Sequence, residues 1–204
     1  MSSHFPGDTR LDYKHTLKKD KKKQKSFPVV KIIYGTAILI FCIVSVFAGA
    51  RYWWREHRFR YIVVHHTASD YGDLKYYREV HQKERGWSDI AYHFLINNGT
   101  ANTSMGQIEE SDLWKTRSRN FSTKVDYINY FGIAVVLVGN FENHKVPPVQ
   151  RESLINLLVR LAKTYDIPPD RIIGHRELQQ TACPGKHLNM SEIRESVKKS
   201  LGEK

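Results

Sequence analysis

The chain has 204 residues, 41% hydrophobic and 26% charged, with a formal net charge of +11. That composition suits an ordinary globular protein rather than a disordered one, and the length allows one well-buried domain with residues to spare. The charge is unevenly placed: residues 1–60 hold 13 Lys and Arg against 4 Asp and Glu, whereas residues 61–204 hold 19 against 17. A nearly neutral bulk argues against a groove that tracks a phosphate backbone, so no nucleic-acid partner is expected.

Residues 1–31 read as a basic tail, with eight lysines and one acid in "KHTLKKDKKKQKSFPVVK". Ile32–Ala50 follows, 19 residues without a charge. As a helix it would be about 28 Å long, close to the roughly 30 Å of a bilayer core, and it lacks the polar stripe of a soluble amphipathic helix. In "RYWWREHRFR", Tyr52, Trp53 and Trp54 stand where interfacial aromatics are expected, among four arginines. The lysine excess on the other flank orients the N-terminus to the cytoplasm and the bulk of the chain outside. Ala48-Gly49-Ala50 has the small-x-small form of a cleavage site, but the basic region before it is long for a signal peptide, which favours an uncleaved anchor. The expected organisation is a basic cytoplasmic tail (1–31), a transmembrane helix in membrane lipid (32–50), a linker (51–57) and one domain (58–204).

Within that domain "RYIVVHH" reads as a buried strand and "DLKYYREVHQKER" as a helix closed by Gly86. "AYHFLIN" reads as a second strand ending in a turn at "NNGT". "GIAVVLVGNF" is a third, apolar enough to be covered on both faces. In "QRESLINLLVRLAKTYDI", Leu154, Leu157, Leu158, Leu161 and Tyr165 fall at helical spacing and should pack on the sheet. "RIIGH" is a short strand or strand end, and "MSEIRESVKKSLG" an amphipathic helix with Ser191 as N-cap and Gly202 near its end. Strands interleaved with helices give an α/β domain around a central sheet.

Successive strand side chains point to opposite faces, so His65 and His66 cannot both serve one site. Alone, such a pair is more often two polar residues where a strand meets its loop than a metal site. "IIGHRELQQTACPG" changes the balance: His175 also ends an apolar run, and Cys183 follows eight residues later. Two imidazoles and a thiolate would leave an open position on Zn²⁺, the arrangement of a catalytic rather than a structural zinc. This also gives Cys183 a role, since the second cysteine, Cys42, lies inside the apolar run and no disulfide framework is legible. No "HExxH" helix is present, so a thermolysin-like protease is not supported.

"YIVVHHTA", "GWSDIAYHFLI", "GIAVVLVGNF" and "IIGHRELQQTACPG" occur in this order. Together they resemble the zinc-dependent N-acetylmuramoyl-L-alanine amidases of type 2, which include the peptidoglycan recognition proteins and phage lysozyme-type amidases. The resemblance covers roughly Arg58–Leu201. It implies a mixed β-sheet flanked by helices, one Zn²⁺ per chain held by His65, His175 and Cys183, and hydrolysis of the amide between N-acetylmuramic acid and L-alanine of the stem peptide. Tyr92 matches the tyrosine beside the metal, and Thr181 the position where amidase-active recognition proteins have threonine. His66 is no ligand in that pattern. His93 is expected to face away into the core, His81 either to line the groove or to pack on its helix, and His187 to lie outside a catalytic site. The loop "KTRSRN" departs from the family pattern, and Arg117 or Arg119 would either meet a stem-peptide carboxylate or simply be solvated. The expected whole is an amidase tethered to a bacterial cytoplasmic membrane and acting on peptidoglycan or muropeptides. The alternative is a receptor that binds muropeptides without cutting them, and the sequence leaves the oligomeric state undetermined.

Overall fold

The structure, a computed structural model, describes residues 28–202, and the expected lysine-rich tail lies almost entirely outside them. Packing divides the chain into two units, Met1–Val46 and Phe47–Lys204. Helix α1, Pro28–His57, begins in the first and ends in the second, and no residue of it is buried. Its most apolar 18-residue window has a mean hydropathy of 2.4, so by length and composition it could cross a membrane. The stretch 51–57, expected as a linker, continues this helix. Its last turn is held in the second unit: Glu56 accepts from Arg117 at 3.0 Å, and Trp54 stands edge-on to Phe131.

The second unit is a five-stranded sheet of order β3-β2-β4-β1-β5. Its strands are β1 (Tyr61–His66), β2 (Phe94–Asn98), β3 (Met105–Glu110), β4 (Gly132–Leu137) and β5 (Ile172–Gly174). β1 runs parallel to β4 and β5, β2 parallel to β4, and β3 antiparallel to β2. A mixed sheet is thus confirmed. The valine- and isoleucine-rich β1 and β4 occupy two of the three interior positions and are buried on both faces, as their unbroken apolar runs require.

The period of two sorts β1. Ile62 and Val64 join the larger core with Phe94, Ile96, Ile133, Val135 and Leu137. Helix α5 (Pro148–Tyr165) covers this face with Leu154, Leu157, Leu158 and Leu161, and α6 (Met190–Leu201) adds Ile193 and Val197. The opposite face is smaller: Leu95, Val136 and Val138 pack with Ile90 and with Tyr77 of α2 (Leu74–Arg85). α2 is capped at both ends: the Asp73 carboxylate accepts from the Tyr76 N–H at 2.7 Å, and Gly86 adopts the left-handed conformation at φ 65°. α6 starts earlier than expected. Asn189, not Ser191, is its N-cap and accepts from the N–H groups of Ser191 and Glu192, because an Asn two residues upstream satisfies the first free donors before Ser191 can.

Among the strands and α-helices, three were not expected: β3, α3 (Asp112–Lys115) and α4 (Asp126–Phe131). β2 is also shorter than predicted, starting at Phe94 so that Tyr92 and His93 precede it. His93 still substitutes for a ladder partner. Its backbone N–H donates to the Ala134 carbonyl at 2.9 Å, while its Nδ1 accepts from the Ala134 N–H at 3.0 Å.

Candidate metal centre

Parallel strands end at the same edge of a sheet, and in open α/β sheets that carboxyl edge is where sites form. β1 delivers His65 there, paired with Val136. β5, next to it in register through Val64 and Gly174, ends one residue before His175. The third residue comes from the loop before α6. One potential ligand atom each from His65, His175 and Cys183 lie within 4.8 Å of one another. The two imidazole rings are 4.6 Å apart between centroids, and Cys183 Sγ is 3.6 Å from His65 Nδ1.

His66 points the other way, as the face argument requires. It is buried beside Phe141, whose N–H donates to its Nδ1 at 3.2 Å, while the His66 backbone N–H donates to Cys183 Sγ at 3.4 Å. His93 is fully buried, with its Nε2 at 2.9 Å from the Ser118 carbonyl and its ring edge-on to Phe59 and Trp114. His187 is not in the cluster.

The donors carry the marks of burial. Burial, then the neighbouring His175 and His66, hold the His65 imidazole well below its usual pKa. Burial lowers His175 as well, partly opposed by Gln179. The Cys183 thiol is pushed up to about 12, chiefly by burial. Nε2 of both His65 and His175 is buried with no hydrogen-bond partner. Two neutral imidazoles and a thiol converging in one dry spot, with ring nitrogens unpaired, fit a borderline-soft divalent cation, whose charge reverses the preference for a protonated thiol.

The supporting contacts are specific. Glu177 accepts from the Gly174 N–H at 2.8 Å and receives Arg194 at 3.0 Å, fixing the turn that carries His175. Thr181 Oγ1 accepts from the Cys183 N–H at 3.3 Å, and the Arg176 N–H donates to the Cys183 carbonyl at 2.9 Å. Gly185, at φ 100°, brings this loop against β4's exit: an added Cβ would lie 2.4 Å from the Phe141 carbonyl carbon. Gly185→Ala is therefore expected to displace the Cys183 loop, lowering zinc affinity by more than about tenfold and stability by about 2–3 kcal/mol. Zinc titration and urea unfolding of the two proteins would check both numbers.

Tyr92 is half-buried, with its ring centroid 5.1 Å from that of His65. Burial and then the Cys183 thiol raise its phenol above the ordinary value, so it stays protonated and able to donate. It also lines a cavity of about 380 Å³ with His175, His81, Trp87, Phe121, Lys124 and Gln179 among others. Trp87 and Phe121 lie 6.0 Å apart with their rings inclined by 30°, and His81 stands edge-on to Trp87 with its Nδ1 accepting from the Ala91 N–H. His81 is thus both a helix-packing and a groove-lining residue. Sequence reasoning had not singled out Trp87, Phe121, Lys124 or Gln179; the one legible signal was the aromatic following the Gly86 cap. Arg117 and Arg119 lie elsewhere. They pair with Glu56 and Asp126 and line a different cavity.

The family model described as N-acetylmuramoyl-L-alanine amidase matches residues 55–186. Peptidoglycan recognition protein 1 of Bos taurus is 32% identical over 142 residues, 63% of this chain and 68% of that protein. Among solved structures, the N-acetylmuramoyl-L-alanine amidase LysC from Clostridium intestinale URNW is 29% identical with a TM-score of 0.59, covering 74% of this chain and 89% of that one. A Drosophila PGRP-LB mutant in complex with tracheal cytotoxin is 26% identical with a TM-score of 0.51, covering 65% of this chain and 78% of that one.

Proposed function

The chain belongs to the N-acetylmuramoyl-L-alanine amidase family, and from that premise we propose that it is a zinc hydrolase cutting the bond between N-acetylmuramic acid and L-alanine of peptidoglycan. The convergence of His65, His175 and Cys183, with His175 also lining an aromatic-walled cavity, carries this reading. A receptor needs only the cavity; the buried donor set is what a hydrolase adds. Those three residues would hold the ion, with Cys183 as thiolate. Zinc, when bound, supplies polarisation of a carbonyl and acidification of a water toward a pKa of about 7.

The remaining work falls to the chain. Tyr92, kept protonated, donates to the scissile carbonyl oxygen as negative charge grows there. Thr181 accepts from the Cys183 N–H, which leaves its own hydroxyl proton to give to substrate or water. Trp87 and Phe121 offer faces to the glycan or peptide, and Arg85 and Lys124 bring positive charge suited to stem-peptide carboxylates. The proposed setting is a bacterial cytoplasmic membrane, crossed once by residues 32–50 with the N-terminus inside and the domain (58–204) outside. The charge distribution around the apolar run supports that orientation.

Zinc-loaded full chain incubated with purified peptidoglycan should release stem peptides with a free L-alanine amino terminus, read by mass spectrometry. Tyr92→Phe should bind zinc normally and lower kcat by about tenfold to hundredfold. The relatives named recognition proteins, one of them in complex with tracheal cytotoxin, favour a second reading as a receptor. Muropeptide binding at one zinc per chain with no released peptide would establish that reading instead.

A further inference from the structure

Away from the metal centre, a cavity of about 470 Å³ is lined by five arginines, Arg51, Arg55, Arg58, Arg117 and Arg119, and by no acidic residue. Arg117 is paired with Glu56 and Arg119 with Asp126. Arg51, Arg55 and Arg58 make no ion pair among the described residues. Arg58 is the unusual one. It is 2% exposed, and its guanidinium donates only to backbone carbonyls: Tyr130 at 2.5 Å, Ser118 at 2.9 Å and Arg117 at 3.0 Å. Its charge also lies over the rings of Phe59 and Tyr130. Burial depresses its pKa, the Tyr130 phenol opposes this, and the Arg55 charge adds to the depression. Arg55 donates to the Thr116 carbonyl but, like Arg51, has no carboxylate partner, and a buried cation without a carboxylate beside two such cations is costly unless an anion completes it.

The position indicates which anion. Arg51 is the first residue after the apolar run, and Arg55 lies four residues on in the same helix. At about 1.5 Å per residue, both fall within roughly 8 Å of the end of that run, inside the headgroup layer of a bilayer the run would span. The exposed Trp54 and Tyr130 rings beside them suit the same layer. Planar guanidinium forks match the oxygens of a phosphate diester. Resting on the anchored reading above, we propose that this cavity holds the phosphate of an anionic lipid headgroup from the outer leaflet. The bound lipid would complete the Arg58 site and steady the domain on its membrane.

The test uses the full chain in neutral maltoside micelles, with the thermal unfolding midpoint as readout. Dihexanoyl phosphatidylglycerol at about ten times its dissociation constant should raise the midpoint by about 4 °C, and dihexanoyl phosphatidylcholine should not. Arg51→Gln/Arg55→Gln leaves buried Arg58 in place and should lose most of the shift. An equal shift from inorganic phosphate would overturn the lipid assignment, and so would an unchanged shift in the double variant or none in the native chain. Co-flotation with pure phosphatidylcholine vesicles separates the two readings. A chain that fails to float refutes the anchor, and one that floats without any phosphatidylglycerol shift refutes only the headgroup site.

Discussion

Cys183→Ala is expected to abolish both zinc retention and peptidoglycan cleavage while leaving the apo fold nearly as stable as before. The thiol touches His65 Nδ1, accepts the His66 N–H and is a weak donor to the His66 carbonyl at 3.9 Å, but it holds no β1–β4 or β1–β5 ladder contact. Removing it leaves a small void, and a buried cysteine otherwise behaves as a small apolar group, so the apo domain should change by about 1 kcal/mol. The metal is another matter. Losing a supporting hydrogen bond around a metal site lowers affinity by about 10- to 100-fold, and losing one of three ligands should exceed that, to about 10³-fold or more. Zinc per chain after dialysis should fall from one to a trace, and the cleavage rate with it. Added zinc should raise the native unfolding midpoint but not that of the variant. Unaltered zinc content and activity would place the metal on other donors.

The second large effect concerns acid. His93 is pushed down to about 4, by burial first, with the Ser118 carbonyl opposing and Arg58 and Arg117 adding. In the unfolded chain it titrates near 6.5, so between those values the unfolded state holds the extra proton. The stability His93 contributes is fully present above about pH 7 and is lost as pH falls toward 4, reaching about 2 kcal/mol by pH 5. His93→Phe should be less stable at pH 8 by about 2–4 kcal/mol, because the Ala134 N–H loses an acceptor and the Ser118 carbonyl a donor. Yet the variant should lose about 2 kcal/mol less than the native chain between pH 8 and pH 5. Urea unfolding at the two pH values gives this difference directly. Parallel pH dependences would show that His93 is protonated in the fold.

Both effects concern residues whose positions were largely legible beforehand, for reasons that differ. His65 and His175 could be found because each ends an apolar run, and strand ends are where parallel sheets expose their chemistry. His66 and His93 could be set aside because alternation put them on the opposite faces from His65 and Tyr92. The α5 stripe was plain because four leucines share one face at period 3.6. β3 was not legible: "MGQIEE" is an edge strand, polar along most of its length, and only its pairing with β2 identifies it. α3 and α4 are four and six residues long, too short to show a period. The cavity wall was hidden for another reason. Trp87 follows a helix cap and Phe121 comes from a distant loop, and no local spacing rule links two such segments.

The ladder that pairs β1 with β5 has a consequence for how such a protein is made. On the proposed ligand set, His65 lies early in the domain and its two companions near the end, and β5 reaches His65 only by docking three residues, Ile172–Gly174, onto a finished β1. A chain emerging from the ribosome, or stalled before residue 183, carries the groove-lining helix α2 and most of the sheet but cannot hold the ion. On that ligand set the site is complete only once Cys183, nine residues beyond β5, has been made. Order of synthesis thus sets the moment at which the proposed metal site can first form.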